Sequence, residues 1–237
     1  MLMEKRFQEI LRILEEQGTV SVQDLTESLD ASEATIRRDL SQLAQMGRLK
    51  KIYGGAASLE TGYQTREIRV EERQELYVEE KKQIAKYAAS LIEPGDFVYV
   101  DAGSSTEYLV EYIEERDASY VTNSMSHALK LAGRGMKVSI LGGNVKGTTE
   151  AVVGADAMET LRRYHFTRGF WGADGIRKKE GCTTPEMEEA AVKRLSMKQT
   201  RECYVLCDGS KFGKIAQVTF AELADVTVIT AGLKDKK

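Results

Sequence analysis

The sequence predicts an α/β chain in two parts, a small N-terminal winged helix-turn-helix and a larger α/β domain. Three observations predict it. Three short helical patterns and a glycine-bearing hairpin fall within residues 1–58. A polar stretch dense in both charge signs then follows at residues 59–80, including Arg66, Glu67, Arg69, Glu71, Glu72 and Arg73. Over residues 81–237 helical and strand-like runs alternate, which is the pattern of a mostly parallel sheet covered by helices on both faces. The expected organisation is therefore a winged helix-turn-helix domain at 1–58, a linker at 59–80 and an α/β domain at 81–237. A chain of 237 residues with 42% hydrophobic and 30% charged residues has material for two cores and enough charge to stay in solution.

The first helix is carried by Phe7, Ile10, Leu11 and Leu14, spaced to share one face, and Gly18 ends it. Ser21 and Asp24 have the spacing of a capping pair for a second helix running to Leu29. After Asp30-Ala31, Ser32 is placed to cap a third helix whose buried stripe is Ile36, Leu40 and Leu43, closed by Gly47. Arg48 to Ala57 reads as two short extended runs around Gly54-Gly55. In the larger part, helices are expected at Lys81–Ile92, Ser105–Glu115, Met125–Ala132, Ala155–Arg163 and Glu186–Met197. Strands are expected at Phe97–Asp101, Tyr120-Val121, Val138–Leu141, Arg168–Gly172, Cys203–Cys207 and Val226–Thr230.

The net charge of −3 argues weakly against a nucleic-acid binder, but its distribution argues for one. Residues 1–33 carry three basic residues against eight acids, whereas residues 34–58 carry Arg37, Arg38, Arg48, Lys50 and Lys51 against Asp39 alone. With Ile36, Leu40 and Leu43 turned inward, the third helix leaves Ser32, Glu33, Thr35, Arg37, Arg38, Ser41 and Gln42 outside or on its flanks. Arginine can read guanine with two donors and glutamine can read adenine. Lys50, Lys51 and Tyr53 on the wing suit phosphates, which position a protein without specifying sequence.

A second chemistry is signalled by loops that follow the strands. Asp101 leads into Ala102, Gly103, Ser104, Ser105 and Thr106 at the start of a helix, where free backbone N–H groups, the helix dipole and hydroxyls favour an anion. Thr122-Asn123-Ser124, Gly142-Gly143 and Asp208-Gly209-Ser210-Lys211 end later strands, and ligands of open parallel sheets bind beyond the carboxyl ends of strands. Lys211 would supply a point charge for phosphate, and Glu186 an acceptor for sugar hydroxyls. The loop at Gly103 is not a P-loop, because no lysine follows at the required spacing.

Thr35-Ile36-Arg37-Arg38-Asp39-Leu40, with Leu43, Gly47, Leu49 and Gly54-Gly55-Ala56, resembles the DeoR-type helix-turn-helix signature. The family's wing usually carries histidine where this chain has Tyr53. The strand-end loops, with the Glu186–Lys193 helix and Ser210-Lys211-Phe212-Gly213, are similar to that family's sensor domain, so the resemblance covers nearly the whole chain. It implies a fold akin to ribose-5-phosphate isomerase, phosphorylated-sugar effectors at these loops, double-stranded operator DNA as partner and a homo-oligomer. Gly147-Thr148-Thr149-Glu150-Ala151 and Gly181-Cys182-Thr183-Thr184-Pro185-Glu186 look most like regulators of fructose use, which implies fructose 1-phosphate, with tagatose 6-phosphate and other hexose phosphates as alternatives.

Two other functions are weighed against this one. Kinship to an isomerase raises aldose–ketose catalysis, with Asp101, Glu186, Asp208 and Lys211 as raw material for acid–base work; an N-terminal DNA reader has no use in such an enzyme. A ligand-independent DNA-binding protein would leave the anion loops without a purpose. No cofactor is implied, and no metal site, since His127 and His165 lie far apart without a cysteine or acid at ligand spacing, and are read as packing or surface residues. Cys182, Cys203 and Cys207 lack paired zinc spacing, and Trp171 is assigned to the core. Gly172-Ala173-Asp174-Gly175 has the look of part of a nucleotide loop without the full fingerprint. No stretch has the length of a membrane span or the make-up of a signal peptide, so a cytoplasmic, non-membrane protein is expected.

Overall fold

The computed structural model describes residues 3–57, 63–64 and 73–231. They fall into two compact units divided after residue 64, with 212–214 grouped with the first. Residue 58 and most of the expected linker, namely 59–62 and 65–72, lie outside the described residues.

The first unit contains α1 (Met3–Gln17), β1 (Thr19–Ser21), α2 (Val22–Leu29), α3 (Glu33–Gln45), β2 (Lys50–Ile52), β3 (Gly55–Ala57) and β4 (Tyr63–Gln64). Ser21 and Asp24 form a full capping box on α2, and the Ser32 hydroxyl accepts from Thr35 N–H at 3.3 Å to cap α3. Between them Asp30 takes the left-handed conformation, with φ of 46°, that lets α2 stop and α3 start at a new angle. Ile10, Leu14, Leu25, Ile36, Leu40, Leu43 and Leu49 close the core. The hairpin of β2 and β3 gains a third strand that the sequence pattern does not reveal, because β1 pairs antiparallel with β3. Gly55 is required there: a Cβ would collide with the Val20 carbonyl oxygen on β1.

The second unit is built on a six-stranded, wholly parallel sheet in the order β16-β13-β10-β5-β6-β7. Its strands are β5 (Phe97–Val100), β6 (Ser119–Thr122), β7 (Lys137–Ile140), β10 (Phe166–Gly172), β13 (Thr200–Leu206) and β16 (Thr227–Ile229). Alternation along each strand divides the core in two. Val98, Val100, Tyr120, Phe170 and Leu206 pack against α4 (Val78–Ala89), α5 (Ser104–Tyr112) and α6 (Met125–Gly133). Tyr99, Val121, Trp171 and Val205 pack on the other side against α7 (Ala155–Leu161) and α8 (Met187–Lys198). Trp171 is fully buried and donates its indole N–H to Ser196 Oγ at 3.0 Å.

Several elements differ from the sequence reading. α4 begins at Val78 rather than Lys81, after Tyr77 in the left-handed region, and α5 stops at Tyr112 where Ile113 turns extended. β13 ends at Leu206, so Cys207 lies past the strand that also holds Cys203. An antiparallel sheet of β11 (Gly175–Arg177), β12 (Gly181–Thr184) and β15 (Val218–Ala221), and a ribbon of β8 (Asn144–Val145) with β9 (Val152–Val153), are additions; β14 spans Ile215–Ala216. Of the two places expected for His127, packing or surface, it takes the first: it is fully buried, with Nε2 3.4 Å from Glu107 Oε2. Among the described residues no helix is long and apolar enough to cross a membrane, and no cluster of three metal-ligand side chains occurs.

Candidate functional site

In the first unit, the buried stripe of α3 leaves Ser32, Glu33, Arg37 and Arg38 exposed and Thr35, Ser41 and Gln42 half-buried on its flanks. Arg37 is braced from the preceding turn, with Nε and Nη2 donating to Glu33 Oε1 at 2.9 and 2.6 Å. Asp39, inside the same signature, points the opposite way. It is buried and paired with Arg6 of α1, so its charge serves the fold and leaves the outward face of α3 to the arginines. The wing carries Arg48, Lys50 and Lys51 exposed, with Tyr53 fully exposed at its tip. Lys51 Nζ donates to Ser41 Oγ at 3.0 Å, which ties wing to helix. A cavity of about 410 Å³ opens beside Glu33 and Arg37, lined also by Gln23, Thr26 and Gly54.

In the second unit, the sheet order lines up the carboxyl ends of neighbouring strands: Asp208 after β13, Asp174 after β10, Asp101 after β5, Asn123 after β6 and Gly142 after β7. Connections leave β5 and β10 in opposite directions along the sheet, which makes this the switch point where open parallel sheets bind ligands. Asp101 is fully buried and bonded by Lys193 Nζ, which also donates to the Gly172 carbonyl at 3.2 Å. Burial pushes the Asp101 carboxyl up against the pull of Lys193. Asp174 accepts from Arg73 Nη1 at 2.8 Å and from Thr184 Oγ1 at 3.2 Å. Its burial would raise its pKa, but Arg73, Lys211 and Lys193 outweigh that and hold it below the usual range. Lys81, almost wholly buried, donates to the Arg73 carbonyl oxygen. Burial pushes Lys81 down to about 8, with Asp208 opposing and Lys211 and Arg73 adding to the fall. Four cations, Arg73, Lys81, Lys193 and Lys211, thus meet three carboxylates at one end of the sheet.

The other sequence-predicted residues take distinct places around this cluster. Gly103 precedes α5 in extended conformation, and no side chain caps the helix start at Ser104, Ser105 and Thr106, all three buried. The Thr106 hydroxyl turns back to the Gly103 carbonyl at 2.9 Å. Asn123 acts as a staple: Oδ1 accepts from Ala102 N–H at 2.8 Å, and Nδ2 reaches the Val152 carbonyl. The Thr122 hydroxyl accepts from Ser124 N–H, and the Ser124 hydroxyl caps α6 through His127 N–H. Ser210 donates through N–H and Oγ to Asp208 Oδ1. Gly143 passes so close to Val153 that a Cβ would strike its carbonyl oxygen. Gly142-Gly143 and Asp208 stand at opposite ends of the row, four strand intervals or about 19 Å apart at ordinary spacing.

Glu186 is not turned toward Asp101 but pairs with Lys146 at 3.7 Å, beside Glu189, which accepts from Lys146 at 2.9 Å and Thr149 Oγ1 at 2.7 Å. One helical turn separates Glu189 from Lys193, and Glu189 is near enough to push Asp101 further up. Burial raises the Cys182 and Cys203 thiols to about 11 and keeps them protonated at neutral pH. The sequence reading missed Arg73, Lys81, Lys193, Glu189 and Asp174. For Asp174 a signal was present, since Gly172-Ala173-Asp174-Gly175 follows a strand and ends at the sheet's carboxyl edge.

Comparison with known proteins fits each unit. The model of the DeoR-like helix-turn-helix domain matches residues 6–62, and that of the DeoR C-terminal sensor domain matches residues 77–232. An uncharacterized HTH-type transcriptional regulator FruR of Bacillus subtilis (strain 168) is 38% identical over 240 residues, covering 99% of this chain and 93% of its own. Lactose phosphotransferase system repressors are also similar. That of Streptococcus mutans is 31% identical, covering 98% of this chain and 93% of its own, and that of Staphylococcus aureus (strain NCTC 8325 / PS 47) is 32% identical with the same coverage. Among solved structures, ribose 5-phosphate isomerase A from Methanocaldococcus jannaschii aligns over 56% of this chain and 53% of its own, at TM-score 0.42 and 16% identity. Helix-turn-helix and sensor domain in one chain define a DNA-binding transcriptional regulator. The chain belongs to the DeoR family.

Proposed function

We propose that this chain represses a sugar-phosphotransferase operon, binding operator DNA as a homo-oligomer through α3 and the wing, under the control of a phosphorylated sugar at the carboxyl edge of the parallel sheet. Fructose 1-phosphate is the first candidate effector. Residues 1–58 serve as the DNA module, 81–237 as the sensor and 59–80 as the segment joining them. The printed names of the relatives support the operon class, since one is called FruR and others are called lactose phosphotransferase system repressors. The observation that carries the effector class is the cluster of Arg73, Lys81, Lys193 and Lys211 at the switch point, beside the uncapped start of α5. Cations that converge beyond strand ends, two of them buried and two half-buried, next to free backbone N–H groups, are suited to a phosphate dianion.

On this reading Glu189 and Glu186 face the sugar and the cations face its phosphate. A thermal-shift panel of phosphorylated sugars on the full chain tests it. A true effector at 100 times its dissociation constant stabilises the native state by about 2.7 kcal/mol, and the matching unphosphorylated sugar should not. A flat panel would remove the effector claim and leave a DNA-binding protein of this family without it.

A further inference from the structure

Arg73 is held twice within the second unit. Its guanidinium pairs with Asp174 at 2.8 Å, and its carbonyl oxygen accepts from the buried ammonium of Lys81. Next along the chain, the Gln74 carbonyl accepts from Tyr108 Oη at 3.1 Å, so the start of this segment is pinned at successive residues. The guanidinium is not saturated: Arg73 Nε is buried and has no hydrogen-bond partner among the described residues. In sequence, Arg73 directly follows the stretch that leads out of the helix-turn-helix domain.

We infer that the Arg73–Asp174 pair, backed by Lys81, is the clasp through which a phosphorylated ligand is felt by the chain running to the DNA-binding unit. The inference rests on the effector reading above. Asp174 lies within electrostatic reach of Arg73, Lys211 and Lys193, so it occupies with its own carboxylate the positive field that a phosphate would seek. These cations already face the carboxylates of Asp101, Asp174 and Asp208, with Glu189 one turn from Lys193, so a phosphate dianion meets no matching surplus of positive charge. A bound phosphate therefore competes with Asp174 for its cations, and the pair that loosens is Arg73 with Asp174, at the start of the unit, rather than the pair of Lys193 inside α8. A ligand shifts an equilibrium only through a difference in affinity between two states, and the exchange of one anion for another on Arg73 supplies that difference.

Limited trypsin digestion of the full-length protein, with cleavage after Arg66 and Arg69 followed by mass spectrometry, reads the clasp directly. In wild type these cuts should accelerate on the order of ten-fold when fructose 1-phosphate is added, because cleavage tracks the open population. Arg73→Gln and Asp174→Asn should both show the fast rate with no sugar present. Asp174→Asn keeps the side-chain shape and can still accept from Thr184, so a fast rate there is not explained by a failed fold if its melting transition stays cooperative. Wild-type basal rates in both variants would overturn the clasp, as would wild-type cuts that do not respond to a sugar phosphate that raises the melting temperature. If no sugar phosphate raises it, the effector reading fails, and the basal rates of the two variants still decide whether the clasp exists.

Discussion

The two units handle positive charge in opposite ways. In the helix-turn-helix unit Arg37, Arg38, Arg48, Lys50 and Lys51 all stand outward, braced at most by one carboxylate or hydroxyl such as Glu33 or Ser41. In the sensor unit Lys81 and Lys193 are turned inward and buried, and Arg73 lies mostly covered against Asp174. On the proposed function, the difference follows from what each unit has to meet. A DNA duplex is a large polyanion that comes to the surface, so its cations need no internal partner. A small anion drawn into a fold meets cations that must be neutralised while it is absent, as Arg73 is by Asp174 and Lys193 by Asp101, through carboxylates that the ligand can later rival.

The largest test of that contrast is removal of an inward cation. Lys193→Ala leaves Asp101 buried without its partner and should cost the sensor unit about 3–5 kcal/mol in urea unfolding. A loss no greater than that of an exposed lysine would mean that the pair is not buried as described. Next, Arg37→Ala should weaken binding to a selected duplex by about 1–3 kcal/mol while affinity for random DNA changes little. An unchanged ratio of specific to non-specific affinity would reduce Arg37 to a phosphate contact.

A smaller effect comes from pH. Lys81 is held at about 8 in the fold against an ordinary value of 10.5, so between these values the unfolded chain holds the extra proton. Stability therefore rises with pH through that window, and below it this group adds no pH dependence. The slope between pH 8 and 10.5 should flatten in Lys81→Met relative to wild type; equal slopes would show that Lys81 is not desolvated. Smallest of all, Lys50→Ala should lower DNA affinity uniformly across sequences and reduce the salt slope of binding by about one. A sequence-dependent loss would move Lys50 from phosphate to base contact.

The two units also differ in how far they were legible. The helix-turn-helix rests on local signals: Ser21 with Asp24, Ser32, and the stripe of Ile36, Leu40 and Leu43 each act within a few residues, and each element forms where the pattern puts it. What escaped was β1, too short at three residues to show a period, and the inward turn of Asp39, which depends on Arg6 from another helix. In the sensor the strand and helix alternation was readable because buried parallel strands and amphipathic helices differ in period. The charged cluster was not. Lys81 and Lys193 look like surface lysines in any one-dimensional pattern, and only the order β13-β10-β5 brings Asp208, Asp174 and Asp101 side by side. Asn123 is legible as part of a strand-end loop, yet its amide is occupied in joining that loop to Ala102 and Val152. Glu186 was singled out by its place before a helix, while the carboxylate nearest Asp101 on that helix is Glu189, one turn further on.

In the proposed function one chain reads DNA with outward cations and a phosphorylated sugar with inward ones. The most direct measurement is a paired titration of Arg37→Ala and Lys211→Ala, each against a duplex selected from random sequence by the wild-type protein and against fructose 1-phosphate. Arg37→Ala should lose specific duplex affinity and keep the wild-type sugar-phosphate melting shift. Lys211→Ala should keep duplex affinity and lose the response of DNA binding to the sugar phosphate. Loss of DNA binding in Lys211→Ala together with normal sugar-phosphate affinity would contradict the account.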